Sequence, residues 1–238
     1  MIPKKIHYIW LGGKPLSSLS NICINSWREK LPDYEITEWN EKNLDLDEIS
    51  AQNRFFAECR KRKLYAYMAD YLRLLILYRE GGIYMDTDMQ VLKSFDALTD
   101  TDFLIGKAPY GKTGTGFIGC EKNCRITKRI LDFYQDEIWH SELFMIPDII
   151  EYLFEKEHFP VRLYEKEYFS PCPYDKPFSP EDVTENTYTI HWYEGSWKLN
   201  KQVVLFLMTK HIQNPVKRTL VREKKRVGYY LRKFGLLR

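Results

Sequence analysis

Two aspartates set two apart, Asp86 and Asp88, stand inside "GGIYMDTDMQVLKSF", residues 81–95, a run that otherwise reads as a buried strand. Carboxylates are costly to bury unless something positive meets them. In an extended strand, residues two apart point to one side, so both acids share a side and Thr87 faces the other. Two carboxylates that close repel each other unless a cation sits between them. A hard divalent ion with oxygen ligands, magnesium or manganese, suits the pair, and such ions are usually shared with substrate phosphates. A bare D-x-D also arises by chance, and a solvated strand end accounts for it equally well.

Two other stretches could supply chemistry. Asp70 and Arg73 lie three apart on the preceding helical run, and Leu74 and Leu77 continue the same face. An acid and a guanidinium on an apolar face need each other, as an internal ion pair, or a polar ligand. Late in the chain "YTIHWYEGSW", residues 188–197, gathers His191, Trp192, Glu194, Ser196 and Trp197, a dense set of ligands and stacking surfaces. A structural histidine is the plain alternative for His191.

The elements that must position these groups follow from pattern. "KKIHYIWLGG" reads as a first buried strand, "SLSNICINSWREKLP" as a helix capped by Ser18 or Ser20 and ended by Pro32, and "YEITEWN" as a second strand. Strand, helix, strand within forty residues indicates an α/β layer architecture with a parallel sheet. Residues 54–80 carry the strongest helical signal, broken near Lys61–Lys63 and stopped by Gly81 and Gly82. One strand, "IYMDTDMQVL", follows at once. "DFLIG" and "TGFIGC" predict two more strands, and "CRITKRILDFYQDEIW" an amphipathic helix. Six prolines between residues 147 and 190 predict loops and short elements there.

A chain of 238 residues can bury a sizeable core in one large domain. The aromatic share, 15%, is high; most of these rings read as large core residues, and any in excess would suit pockets for sugars, bases or lipids. Five cysteines, at 23, 59, 120, 124 and 172, form no disulfide framework. Cys120 and Cys124 lack the partners of a structural zinc site, so the expectation is free thiols in a reducing compartment. No secretory leader or membrane-spanning run is visible, which predicts a soluble or peripheral protein. Charge is uneven: residues 201–238 hold eleven Lys or Arg against one acid, Glu223, so the tail is about +10 and the rest about −7.

Together the stretches match a known pattern: A-x-x-x-D-x-x-R, then G-G-x-Y-x-D-x-D, present as Ala66, Asp70, Arg73, Gly81, Gly82, Tyr84, Asp86 and Asp88. With "IHYIWLGG" early and "IHWYEGSW" late, the chain resembles glycosyltransferase family 32, the sugar-transferring family containing the D-x-D motif, and more distantly the glucosylating clostridial toxins. The resemblance covers about residues 1–200. It implies a GT-A-type α/β fold with a mixed central sheet, and a retaining transfer from a nucleotide sugar that depends on manganese or magnesium. By motif, Trp10 would stack on the donor base, while Asp70 and Arg73 would hold the donor sugar. Asp86 would meet the ribose and the metal, and Asp88 would be the main metal carboxylate. His191, or in its place Glu194 with Ser196, would complete the metal shell, and Trp197 would cover the diphosphate or sugar. The catalytic set is thus Asp70, Arg73, Asp86 and Asp88. Relatives often carry serine at the position of Ala69, and asparagine where Thr115 and Gly116 stand here, a change that touches the donor-sugar contact.

The resulting expectation is a GT-A-like domain over residues 1–200 and a basic helical extension over 201–238. The enzyme would move a sugar from a UDP-sugar, ahead of a GDP-sugar, to a glycan or lipid-linked saccharide in bacterial polysaccharide biosynthesis. Apolar residues interleaved with Lys and Arg in the extension suit either an anionic membrane surface or a packed helix. The expected location is the cytoplasm, peripheral to the inner face of the plasma membrane. No nucleic-acid motif is present. A metal-dependent phosphohydrolase and a non-catalytic membrane-binding protein are the rival readings.

Overall fold

The computed structural model describes residues 1–195 and 204–233. Its centre is a six-stranded mixed sheet in the order β2-β1-β3-β6-β5-β7: Glu35–Trp39, Lys5–Ile9, Gly82–Met85, Thr113–Cys120, Phe103–Lys107 and Leu163–Tyr164. β1 pairs in parallel with β2 and β3, whereas β6 runs antiparallel to both β3 and β5. The sheet is therefore mixed, as the family pattern implied, and not parallel as the first forty residues alone suggest.

Alternation along the strands fills two cores. Ile6, Ile83, Met85, Leu104 and Phe117 point to a layer closed by α1 (Ser18–Lys30), whose Trp27 is fully buried. Tyr84, Phe103, Ile105 and Ile118 point the other way, against α3 (Arg54–Lys61), α4 (Tyr65–Glu80), α5 (Arg125–Gln135) and α6 (Ile146–Glu157). The short α2 (Leu46–Gln52) packs on α3, and α7 (Lys166–Phe169) lies against β5. Period-two side chains buried on both faces make the three-layer sandwich.

α4 is buried along nearly its whole length, Tyr67 to Leu77 without a gap, so it runs through the core and not over it. It ends at Gly81, and Gly82 opens β3 with φ +97°. A Cβ there would stand 2.7 Å from the Lys5 carbonyl, so glycine permits both the turn and the close pass against β1. The break between α3 and α4 falls where the residues predict it, with Lys63 in the left-handed region.

Three expectations need correction. The strand predicted over residues 83–92 is two strands. β3 stops at Met85, Asp86–Asp88 form a turn, and β4 (Met89–Val91) pairs antiparallel with β8 (Thr189–His191) in a separate two-stranded sheet. The cap of α1 is Ser17, whose hydroxyl accepts from the Ser20 amide, and neither Ser18 nor Ser20 takes that role. The proline-rich region contains the twelve-residue α6, because Pro147 sits in the first turn, where a missing amide costs nothing, and Ile146, Ile149, Ile150 and Leu153 form its buried face. All five cysteines are free and buried.

Candidate donor and metal site

The D-x-D turn lies where the two sheets meet. The Asp86 amide donates to the Gly116 carbonyl of β6 at 2.8 Å, and the Met89 amide donates back to the Asp86 carbonyl at 3.1 Å. Trp27 Nε1 donates to the Met89 carbonyl at 2.6 Å, tying the start of β4 to α1. On the far side, the Trp192 amide donates to the Asp88 carbonyl at 3.0 Å, which brings His191 back beside the turn. One carboxylate oxygen from each of Asp86 and Asp88 and one ring nitrogen of His191 lie within 4.8 Å of one another. Among the described residues this is the one group of three or more His, Cys, Asp or Glu ligands so arranged.

The cluster has room made for it. A Cβ on Gly116 would meet Asp86 Oδ2 at 2.9 Å and His191 Cε1 at 3.0 Å. Glycine there lets β6 backbone press against both ligands. His191 Nε2 stands 3.2 Å from Asp88 Oδ1, and the Glu194 amide donates to Asp88 Oδ2 at 2.9 Å. Burial raises the Asp88 pKa, but the His191 ring and the Glu194 amide outweigh that and leave the carboxyl below its usual range. Two carboxylates and an imidazole fit a hard or borderline divalent cation.

Beside the cluster lies a buried ion pair. Arg73 Nη2 is 3.0 Å from Asp70 Oδ1, and Nη1 is 3.4 Å from Asp86 Oδ1. Arg73 Nη1 also donates to the Thr115 carbonyl at 2.6 Å, and its guanidinium lies over the Tyr84 ring at 4.4 Å. The Tyr84 hydroxyl donates to Asp86 Oδ1 at 2.8 Å. Burial pushes the Asp70 carboxyl up to about 6, although Arg73 pulls it down. So the internal pair and the ligand-facing role are not exclusive: Arg73 is shared between a buried acid and a candidate metal ligand. Where relatives carry asparagine, the Thr115 carbonyl engages Arg73 and Gly116 faces the cluster, so that position works here through backbone.

Arg73, Tyr84, Asp86, Asp88 and His191 line one cavity of about 200 Å³ with Trp10, Ile9, Ala69, Tyr193 and Gly195, and Asp70 stands behind Arg73 without lining it. Trp10 follows β1, and its amide donates to the Trp39 carbonyl at 2.9 Å. Glu194 does not join the cluster with its side chain. Its carboxylate accepts from the Ser17 hydroxyl at 2.8 Å, which fastens the strand exit to the start of α1. Ser196 and Trp197 lie outside the described residues. Sequence reasoning missed Tyr193, which stacks on His191 with ring centroids 3.9 Å apart, and the role of Gly116. The sequence does print Tyr193 inside the late cluster, but nothing local assigns it to the site.

Residues 17–104, which include Asp70, Arg73, Asp86 and Asp88, match the family described as "Glycosyltransferase sugar-binding region containing DXD motif". The chain is 30% identical over 160 residues, 55% of its length, to "Subversion of eukaryotic traffic protein A" of Legionella pneumophila. It is 26% identical over 169 residues, again 55% of its length, to a protein named "Toxin" of Photorhabdus asymbiotica. It spans only 24% of the first relative and 6% of the second. The solved structure "PaToxG Glycosyltransferase" superposes with a TM-score of 0.54 at 23% identity, over 66% of this chain and 70% of that one. Residues 17–104 thus match a glycosyltransferase sugar-binding region, and the chain has a GT-A-type fold.

Proposed function

We propose that this glycosyltransferase domain takes a sugar from a nucleotide-sugar donor, held through a divalent cation, and passes it with retention to a saccharide acceptor. The observation that carries the reading is the convergence of Asp86, Asp88 and His191 within 4.8 Å, joined to Asp70 through the shared Arg73. Manganese or magnesium suits this ligand set. Such a cation, when bound, neutralises the diphosphate as negative charge grows on it during departure.

The side chains divide the remaining work. Arg73 keeps its charge at all working pH values and aims it at the edge of the cluster, where a leaving diphosphate develops charge. Asp70 is held by Arg73 at 3.0 Å and is buried, which suits it to steady positive charge on the sugar ring rather than to attack the anomeric carbon. No other described carboxylate takes the nucleophile's role in this reading. The acceptor hydroxyl then attacks from the leaving-group side: the sugar–phosphate C–O bond breaks, the new C–O bond forms, and the hydroxyl proton passes to the departing phosphate. Trp10, half-buried at the cavity edge, supplies a face for the base. The donor in this reading is a UDP-sugar ahead of a GDP-sugar. Ser196 keeps the donor-binding role, and Trp197 the role of covering the diphosphate or sugar, that their motif implies.

A row of aromatic rings supports the saccharide acceptor. Tyr193 stacks on His191, meets Tyr174 edge-on at 5.7 Å, and Tyr174 meets Tyr110 at the same 5.7 Å. Tyr110 and Tyr174 are 59% and 64% exposed, so rings stand ready outside the cavity. Tyr110 also hydrogen-bonds the Asp175 carboxylate. Aromatic faces beside a carboxylate suit the C–H faces and hydroxyls of a sugar chain. This path is the argument for polysaccharide assembly as the setting. The relationship to a protein named for subversion of eukaryotic traffic favours a second reading, in which the acceptor is a protein of a eukaryotic host.

A thermal-shift panel of UDP, GDP and their sugars, with and without manganese, tests the donor site on wild type and Asp88→Asn. A ligand at about a hundred times its Kd adds about 2.7 kcal/mol, or roughly 5–10 °C for a chain of this size. The expected result is a shift for UDP or a UDP-sugar that needs metal and disappears in Asp88→Asn. Equal shifts with and without metal, or an undiminished shift in the variant, would sink the metal-bound donor site.

A further inference from the structure

The helix α8, Pro215–Lys233, takes no part in the donor site and is amphipathic in an unusual sense. One side faces the body, where Val221, Lys217 and Lys225 line a cavity of about 520 Å³ with Met208, His211 and Ile212. The adjoining side, about a quarter to a third of a turn round the helix, leaves apolar residues in water: Val216, Leu220 and Val227 are 68%, 66% and 52% exposed. These three and the exposed Lys224 follow one another at i, i+4, i+8 and i+11, which is a single helical face. Lys217, Lys225 and Arg226 are also exposed around it. The helix has one acid, Glu223, and Arg226 neutralises it at 2.5 Å.

We propose that α8 lies in the plane of a lipid bilayer rich in anionic headgroups, with Val216, Leu220 and Val227 entering the headgroup–acyl boundary and the lysines holding phosphates. Three aliphatic side chains on one outward face gain nothing in water but gain hydrophobic burial at a bilayer surface. Nineteen residues of helix, roughly 28 Å, fit flat on a surface, and no described helix is long and apolar enough to cross one. Lysine stems lie along apolar surface while their ammonium groups stay at the headgroups. A docking face for a folded protein would instead be expected to present aromatic or arginine anchors at its centre, and this stripe presents small aliphatics. The charge matches as well, since residues 201–238 carry about +10 on a chain whose remainder is about −7. The acidic body is repelled by the same surface, so the helix sets which side meets the membrane. This docking does not depend on the donor chemistry.

The test is flotation of the full chain with vesicles of phosphatidylcholine alone and with added phosphatidylglycerol. Two double variants are compared: Leu220→Ser/Val227→Ser and Lys217→Gln/Lys224→Gln. Wild type should bind the anionic vesicles and leave the neutral ones in solution. Removing each basic charge should weaken partitioning about five-fold, so the lysine variant falls about twenty-five-fold. The serine variant should fall at least about tenfold. Metal-dependent nucleotide shifts, read on the same samples, should be unchanged in both and show that the variants are folded. Absence of wild-type binding to the anionic vesicles overturns the proposal. So does loss in the lysine variant with the serine variant bound as tightly as wild type, which would make the helix a general polyanion surface.

Discussion

Replacing Arg73 by methionine keeps most of the side-chain volume and removes the one positive charge that contacts both Asp70 and Asp86. In the native protein Asp70 has a folded pKa of about 6 against 3.8 for the free side chain, because it is buried. The folded state therefore holds the Asp70 proton more tightly than the unfolded chain does. Its contribution to stability is most favourable below pH 3.8 and declines as pH rises through about 6. Ionising it in place costs about 3 kcal/mol at neutral pH. Without Arg73 that pKa rises further, and the window of declining stability extends above 6. Breaking one partner of a buried pair costs about 3–5 kcal/mol. Arg73→Met should thus lose about that much at pH 8, and the loss should shrink by about 2 kcal/mol at pH 5, where Asp70 takes up a proton. Urea denaturation of wild type and variant at the two pH values gives the difference, and carboxylates common to both cancel. Asp70→Asn/Arg73→Met should recover much of the loss at pH 8. An equal loss at both pH values, or no recovery in the double variant, would refute the view that Asp70 is a buried charge held ionised by Arg73.

The cavity and the acceptor path give two further expectations. Gly116→Ala would push a methyl group to 2.9 Å from Asp86 Oδ2 and 3.0 Å from His191 Cε1, so metal-dependent nucleotide binding should weaken about 10–100-fold. Isothermal titration with manganese and UDP reads that loss, while a thermal midpoint within a few degrees of wild type without ligand shows the fold intact. Tyr174→Ala and Tyr110→Ala should leave hydrolysis of the donor by water unchanged. Both should raise KM for an oligosaccharide acceptor about fivefold, in line with about 1 kcal/mol for a lost aromatic stack. If transfer proceeds to protein but to no saccharide of an acceptor panel, the host-protein reading replaces the saccharide one.

Much of this molecule could be read from its residues because the relevant forces are local. The end of α4 at Gly81 and Gly82, its break from α3 near Lys63, and the amphipathic α5 depend on propensity, caps and period over a few neighbours. The Asp70–Arg73 pair was legible because one helical step sets it, whereas the D-x-D pair was read as strand alternation and is a turn. The rest was decided by pairings distant in sequence. β4 leaves the line of β3 because β8, a hundred residues later, offers it a partner, and that exchange turns a predicted strand into the turn that presents Asp86 and Asp88. His191 joins them only through the same pairing. Gly116 reads as a departure from a motif until β6 is laid against the cluster, and only then does the missing Cβ become space for two ligands. The basic tail shows its charge in composition, but which of its apolar residues face water is fixed by how α8 meets the body. Residue types and short spacings carry chemistry. Which groups share a space is settled by chain segments that meet only when the whole core is packed, and no local energy in the sequence records that meeting.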